Sequence, residues 1–134
     1  MQNNEYKDRR PARYLRFHEE RTQPTVDLAR RINLADPRRI MDLGCGPGNS
    51  TAVLAALWPN AEIVGVDNSE AMLAEARKTS DRIQWVLHDA SQDMEFLGKF
   101  DVLFSNAALQ WLPDNGQLIP RLHRMLNPDG VLAV

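Results

Sequence analysis

Apolar residues fall along this chain in two alternating arrangements, short unbroken runs and longer stretches with helical spacing. The runs predict strands at Arg39-Ile40-Met41-Asp42-Leu43, Glu62 to Asp67, Ile83 to Leu87 and Phe100 to Phe104, with Val131 to Val134 beginning a fifth. Between them lie the helical patterns. Pro24 to Leu34 carries Val26, Leu28, Ala29 and Ile32, with Pro24 in a first turn that needs no N–H and Asp36-Pro37 as the stop. A second helix starts at Asn49-Ser50-Thr51, carries Val53, Leu54 and Leu57, and ends before Pro59. Ser69 caps a third with Met72, Leu73 and Ala76 on one face. Asp114 and Gln117 have N-cap and N3 spacing for a fourth, whose Leu118, Leu122, Met125 and Leu126 share a face. Asn127-Pro128-Asp129-Gly130 reads as a turn.

Short apolar strands alternating with helices specify an α/β fold, a doubly wound parallel sheet covered on both faces. The 134 residues suit one domain, 1–134, with 1–37 as an N-terminal helical segment that covers the site. The last apolar run stops without a helix to cover it. The expectation is therefore an incomplete domain, truncated after the start of the fifth strand and the N-terminal part of something longer. An exposed apolar edge of this kind favours aggregation.

Hydrophobic residues at 43% and charged residues at 25% describe a globular chain. No apolar run approaches the roughly 18 residues of a membrane span, and MQNNEYKDRR lacks the apolar stretch of a secretory signal. The single cysteine leaves neither a disulfide framework nor a cysteine metal site, and His18, His88 and His123 lack paired ligand spacing, so no metal is expected. A net charge of −2 argues against nucleic acid. The expectation is a cytoplasmic monomer with a small-molecule partner, neither nucleic acid nor membrane. The charge is uneven: residues 1–39 hold ten Lys and Arg against six Asp and Glu. That excess is either a solvated Arg-rich face or a segment that meets an anion.

The strongest chemical signal is Asp42-Leu43-Gly44-Cys45-Gly46-Pro47-Gly48-Asn49 between a strand and a helix. Glycines allow a sharp turn and close backbone approach to a ligand, and the helix that follows offers free N–H groups to an anion. A plain tight turn is the alternative. Asp67 ends the next strand about 20 residues on, where a carboxylate can accept both hydroxyls of a ribose. The spacing G-x-G-x-G differs from the G-x-G-x-x-G of dinucleotide binders, which disfavours an NAD-dependent oxidoreductase.

DLGCGPGNST resembles motif I of class I S-adenosylmethionine-dependent methyltransferases, and Asp67, His88-Asp89-Ala90 and Ser105-Asn106-Ala107 stand where later motifs of that family fall. Tyr14-Leu15-Arg16-Phe17, Glu20-Arg21-Thr22-Gln23-Pro24 and Asn106 to Asp114 are further similar to the trans-aconitate methyltransferases. The resemblance implies a Rossmann-like fold and S-adenosylmethionine as cofactor. It places Asp42 near the methionyl ammonium, orienting the loop. Gly44, Cys45, Gly46 and Gly48 form the cradle, with Asn49 beginning the helix. Asp67 meets the ribose, Asn68 and Met72 the adenine ring, Asp89 the adenine amino group with Ala90 offering backbone, and Asn106 lies at a strand end beside the cofactor. Tyr14, Phe17, Arg21, Gln110 and Trp111 would place a small carboxylic acid, Arg21 by a bidentate fork and Gln110 and Trp111 as walls beside the sulfonium.

Plainer readings stand beside these. Met72 and Trp111 also suit a packed core, Arg21 a solvated face beside Glu19 and Glu20, and Cys45 a small space-filling residue rather than an activated thiol. The implied reaction esterifies a small polycarboxylic acid, trans-aconitate foremost. A carboxylate is ionised at neutral pH and needs no general base, which leaves the catalytic residues unassigned beyond placement. The alternatives are a methyltransferase for another small molecule and a cofactor-binding fragment without turnover.

Overall fold

The computed structural model describes residues 19–106 and 115–134, with side chains described from residue 23 in the first stretch and residue 117 in the second. The elements run α1 (Glu19–Ala29), β1 (Arg39–Leu43), α2 (Asn49–Leu57), β2 (Glu62–Asp67), α3 (Glu70–Ala76), β3 (Gln84–Leu87), a 3-10 turn (Glu95–Leu97), β4 (Phe100–Phe104), α4 (Asn115–Arg124) and β5 (Leu126–Ala133). Four of the five expected strands stand within a residue of where their apolar runs lie.

The five strands form one parallel sheet in the order β3-β2-β1-β4-β5. The chain winds outward from β1 to β3, then returns to the other side of β1 to lay down β4. That reversal leaves a crevice beyond the carboxyl ends of β1 and β4, the place where open parallel sheets hold ligands.

Successive strand residues face opposite sides, and the core divides accordingly. Met41, Leu43, Val64, Val66 and Leu103 pack with Leu118, Leu122 and Met125 on the α4 side. Ile40, Ile63, Val102 and Phe104 pack with Ala29, Ile32 and Leu54 on the side of α1 and α2. Both faces are therefore apolar, which is why each strand reads as a run rather than an alternation. The end of the sheet remote from the crevice is closed by Arg39. Its Nη1 donates to the Leu97 and Lys99 carbonyls at 3.0 and 2.9 Å, and its guanidinium lies 4.2 Å from the centre of the Phe100 ring.

Three expectations are corrected. The first helix runs from Glu19 to Ala29 with Pro24 inside it, not from Pro24 to Leu34. It ends early because its last turns tighten: Arg31 and Ile32 donate to carbonyls three residues back, and buried Ile32 follows the helix. Asn127 to Gly130 do not separate α4 from a strand at Val131; they lie within β5, which begins at Leu126 rather than leaving Leu126 on the helix face. Phe100 pairs with Leu126 and Val102 with Val131, so the extra residues bulge out between two paired segments, with Asp129 at φ 67. Leu57, expected on the apolar face of α2, is 46% exposed.

Gly65 in β2 shows how tightly the inner strands are packed: a Cβ there would lie 2.7 Å from two ring carbons of Trp85 and 3.3 Å from Cys45 Sγ. Gly65→Ala should therefore force the indole aside and destabilise the fold by about 1–3 kcal/mol, the cost of overpacking. Urea unfolding measures it, and an unchanged midpoint would contradict the tight contact.

Candidate functional site

The turn after β1 continues the sheet's own hydrogen bonding. The N–H groups of Gly44 and Cys45 both donate to the Val66 carbonyl, at 2.7 and 3.0 Å. The next N–H, Gly46, donates to Asp67 Oδ2 at 2.8 Å. The loop is thus anchored on the end of β2 over three residues. Gly46 has φ +58, and a Cβ built on it would meet nothing within 4 Å, so this backbone borders open space. Gly48 has φ +99, and a Cβ there would come within 3.3 Å of Ala76 and 3.2 Å of Thr79 Oγ1. The two glycines serve different needs: one leaves a space clear, the other lets α2 start hard against the end of α3.

Asp42, expected to orient the loop, does so only indirectly. Its Oδ2 accepts from Ser50 Oγ and Thr51 Oγ1, both at 2.7 Å, in the first turn of α2. It is buried, and burial pushes its carboxyl up to about 6 from an ordinary 3.8. The two hydroxyls pull it down and the Asp67 charge adds to the rise. Direct contact with the glycine loop falls to Asp67. Cys45 is buried, and burial together with Asp42 and Asp67 pushes its thiol well above the usual range, which answers the choice left by the sequence in favour of space-filling.

Asp67 Oδ1 also accepts the N–H of Ser69, at 3.0 Å. A carboxylate has about four lone-pair sites, so each oxygen retains one toward a further donor. Ser69 caps α3 by accepting from the Met72 N–H at 3.2 Å. Asn68 is exposed. Met72 is 44% exposed, which removes the core reading of that side chain, while Leu73 and Ala76 fill the core as expected. Beyond β3, the His88 N–H donates to the Asp67 carbonyl at 2.9 Å, tying the loop that carries Asp89 and Ala90 to the end of β2. Asp89 Oδ1 accepts from both the N–H and the hydroxyl of Ser91, at 2.9 and 2.8 Å, which holds its carboxyl below the usual range. Ala90 is buried.

Asn106 lies just past β4, on the opposite side of the crevice. Its Nδ2 donates to Thr25 Oγ1 at 3.1 Å, joining α1 to the sheet across 81 residues of chain. Beside it, buried Ser105 donates its hydroxyl to the Leu43 carbonyl at 3.0 Å and seals the gap between the ends of β1 and β4. The structure therefore brings Asp42, the glycine loop, Asn49, Asp67, Asn68, Asp89, Ala90 and Asn106 to one end of the sheet. Arg21 stands on α1 with its side chain outside the description; Tyr14, Phe17, Gln110 and Trp111 lie outside the described residues. Thr25 and the acceptor role of Asp42 toward Ser50 and Thr51 were missed in the sequence. The first has no local signal; the second was available, because a tight strand-turn-helix returns the helix start to the strand end.

Residues 40–130 match the family model of a methyltransferase domain. The chain belongs to the class I S-adenosylmethionine-dependent methyltransferases. It is 50% identical over 127 residues to a trans-aconitate 2-methyltransferase of Methylobacterium radiotolerans, across 95% of this chain and 48% of that protein. It is 48% identical over 127 residues to one of Escherichia coli, across 95% of this chain and 50% of that protein. Among solved structures it is similar to an S-adenosylmethionine dependent methyltransferase from Mesorhizobium loti, with TM-score 0.71, 29% identity, and coverage of 80% of this chain and 50% of that one. The chain spans about half the length of the curated relatives it matches. The site fits the family's cofactor on geometric grounds: the backbone at Gly46 borders a space that a Cβ would enter, and Asp67 beside it keeps acceptor capacity.

The buried Asp42 carboxyl has a sign that can be tested. Its folded pKa of about 6 lies above the ordinary 3.8, so between those values the folded protein holds a proton that the unfolded chain has released. Stability from this group therefore falls as pH rises through that window, by an amount on the order of 2–3 kcal/mol. Asp42→Asn keeps an acceptor oxygen for both hydroxyls and should flatten that part of the profile. Urea midpoints across the window check it, and parallel profiles for the two proteins would refute the burial account.

Proposed function

We propose that the whole protein to which this chain belongs transfers a methyl group from S-adenosylmethionine to a carboxylate of a small polycarboxylic acid, with trans-aconitate as the substrate. The observation that carries this reading is identity of 48–50% with trans-aconitate 2-methyltransferases over 95% of the chain, α1 included. On this reading residues 1–37 form a cover over the cofactor, and the Thr25–Asn106 hydrogen bond supports it by fastening α1 beside the crevice.

When bound, S-adenosylmethionine supplies a methyl group on a sulfonium, which becomes a neutral thioether as the methyl passes to the carboxylate oxygen. The chain's own residues bind and orient. The remaining lone pairs of Asp67 accept the ribose hydroxyls, Asn68 and Met72 border the adenine ring, and Asp89 accepts from its amino group. Asp42 lies beneath the loop as a negative charge toward the methionyl ammonium. Arg21 grips a substrate carboxylate with Tyr14 and Phe17 closing that space, while Gln110 and Trp111 wall the sulfonium side. No base is required because the acceptor is already ionised. The gain comes from holding two reactants aligned and close.

Two binding variants test the cofactor half. Asp67→Ala should weaken S-adenosylhomocysteine binding by about 1.5–3 kcal/mol, the worth of hydrogen bonds to a charged acceptor. Gly46→Ala costs about 1–2 kcal/mol of stability through its positive φ and should lower affinity by more than Asp67→Ala does, because its methyl enters the space at the loop. Calorimetry on the folded variants is decisive, and normal affinity in either removes that residue from the site.

The substrate half is tested by transfer of labelled methyl to trans-aconitate in the whole protein, with citrate and a monocarboxylate for comparison. Arg21→Lys should lower kcat/KM by about 1.5–3 kcal/mol, since an ammonium cannot reproduce the guanidinium fork. Affinity for S-adenosylhomocysteine should stay the same. An unchanged kcat/KM returns Arg21 to the solvated face, and no transfer to any polycarboxylate removes the substrate assignment.

A further inference from the structure

Arg121 stands in the last turn of α4, far in sequence from the motifs of the site, yet its guanidinium reaches the loop after β3. Nη1 donates to the Gln92 carbonyl and Nη2 to the Ala90 carbonyl, both at 3.0 Å. These two acceptors lie two residues apart in a stretch, 88–93, that has neither helix nor strand to satisfy its carbonyls. One planar fork serves both at once, a geometry that a lysine's point charge cannot copy.

We propose that Arg121 is a positioning residue for cofactor recognition, holding the 88–93 turn so that Asp89 reads the adenine amino group. The proposal rests on the assignment of Asp89 given under Proposed function. Inside the turn, Ser91 donates twice to Asp89 Oδ1, and the Gln92 N–H donates to the Asp89 carbonyl at 2.9 Å. The turn is therefore rigid in itself, and its placement depends on what holds it from outside. On one side the His88 N–H is bonded to the Asp67 carbonyl. On the other, Arg121 ties it to α4, which Leu118, Leu122 and Met125 fix against the same core that takes in Ala90 and Met94. The ribose acid and the adenine acid are thus set at one separation, held by Asp67 on one flank and Arg121 on the other.

The consequence is selectivity rather than affinity alone. A carboxylate placed to accept an amino group repels the carbonyl that hypoxanthine carries at the same position, so a well-placed Asp89 prefers adenine. The experiment compares S-adenosylhomocysteine with S-inosylhomocysteine by calorimetry in the wild type, Arg121→Met and Arg121→Lys. The wild type should prefer the adenine compound. In Arg121→Met its affinity should fall about tenfold, the scale of one charge-assisted hydrogen bond, while the inosine compound falls less and the preference narrows. Arg121→Lys should recover part of the preference, and it carries the comparison if the methionine variant does not fold. Amide exchange at Gln92 should quicken in the variants while that of β1 does not.

An equal loss for both compounds, or a preference kept in full by both variants, overturns the role of Arg121 alone. A wild type that binds both compounds equally overturns the Asp89 assignment and the proposal with it.

Discussion

One carbonyl governs the arrangement of the site. Val66 O, at the end of the central strand pair, accepts from two consecutive N–H groups of the glycine loop, and the next residue, Asp67, takes the third. Sheet pairing therefore runs on past the strands and dictates the loop. A carbonyl oxygen has two lone pairs, so it can hold both donors only if the backbone turns sharply. The positive φ values of Gly44 and Gly46 follow from that demand. With the loop pinned, α2 must begin where Gly48 leaves it, close against α3, and the crevice takes its outline from there.

The same arrangement places two carboxylates at the ends of adjacent strands, Asp42 in β1 and Asp67 closing β2, and they are handled in opposite ways. Asp67 is partly exposed and accepts one backbone N–H on each oxygen. Asp42 is buried and answered by only two hydroxyls, and burial raises its carboxyl to about 6, so it takes up a proton at a higher pH than an ordinary carboxylate. The two hydroxyl bonds recover only part of its desolvation, which is why its carboxyl stays raised.

Away from the crevice, polar side chains brace the sheet. Arg39 closes the far end against Phe100, Leu97 and Lys99, and Asp101 gathers the N–H groups of Arg38 and Arg39 with the side chain of Asn127. Burial opposes ionisation at Asp101, yet these donors outweigh it and hold its carboxyl below the usual range. The contrast with Asp42 is first one of burial and then one of donor number. The acid with three donors is settled, and the acid with two hydroxyls in a drier place is not.

Much of this was readable along the chain. Ile40-Met41, Ile63-Val64 and Val102-Leu103 are buried on both sides of a parallel sheet, so strands appear as apolar runs, and the G-x-G-x-G turn with an acid ending the next strand follows from local backbone requirements. The helix at Ser69 was equally legible, because its cap is a contact across three residues. Local rules failed where partners are distant. The early end of α1, the bulge of β5 opposite Phe100 and Val102, and the exposure of Met72 depend on packing that no window of sequence contains. The bonds Asn106–Thr25, Ser105–Leu43 and Arg121–Ala90 span 81, 62 and 31 residues. Sequence alone determined where the first four strands lie and where the backbone must turn after β1, since those depend on near neighbours. Which side chains meet at the crevice was decided only by the tertiary fold, because strand order brings together residues whose separation along the chain carries no pattern.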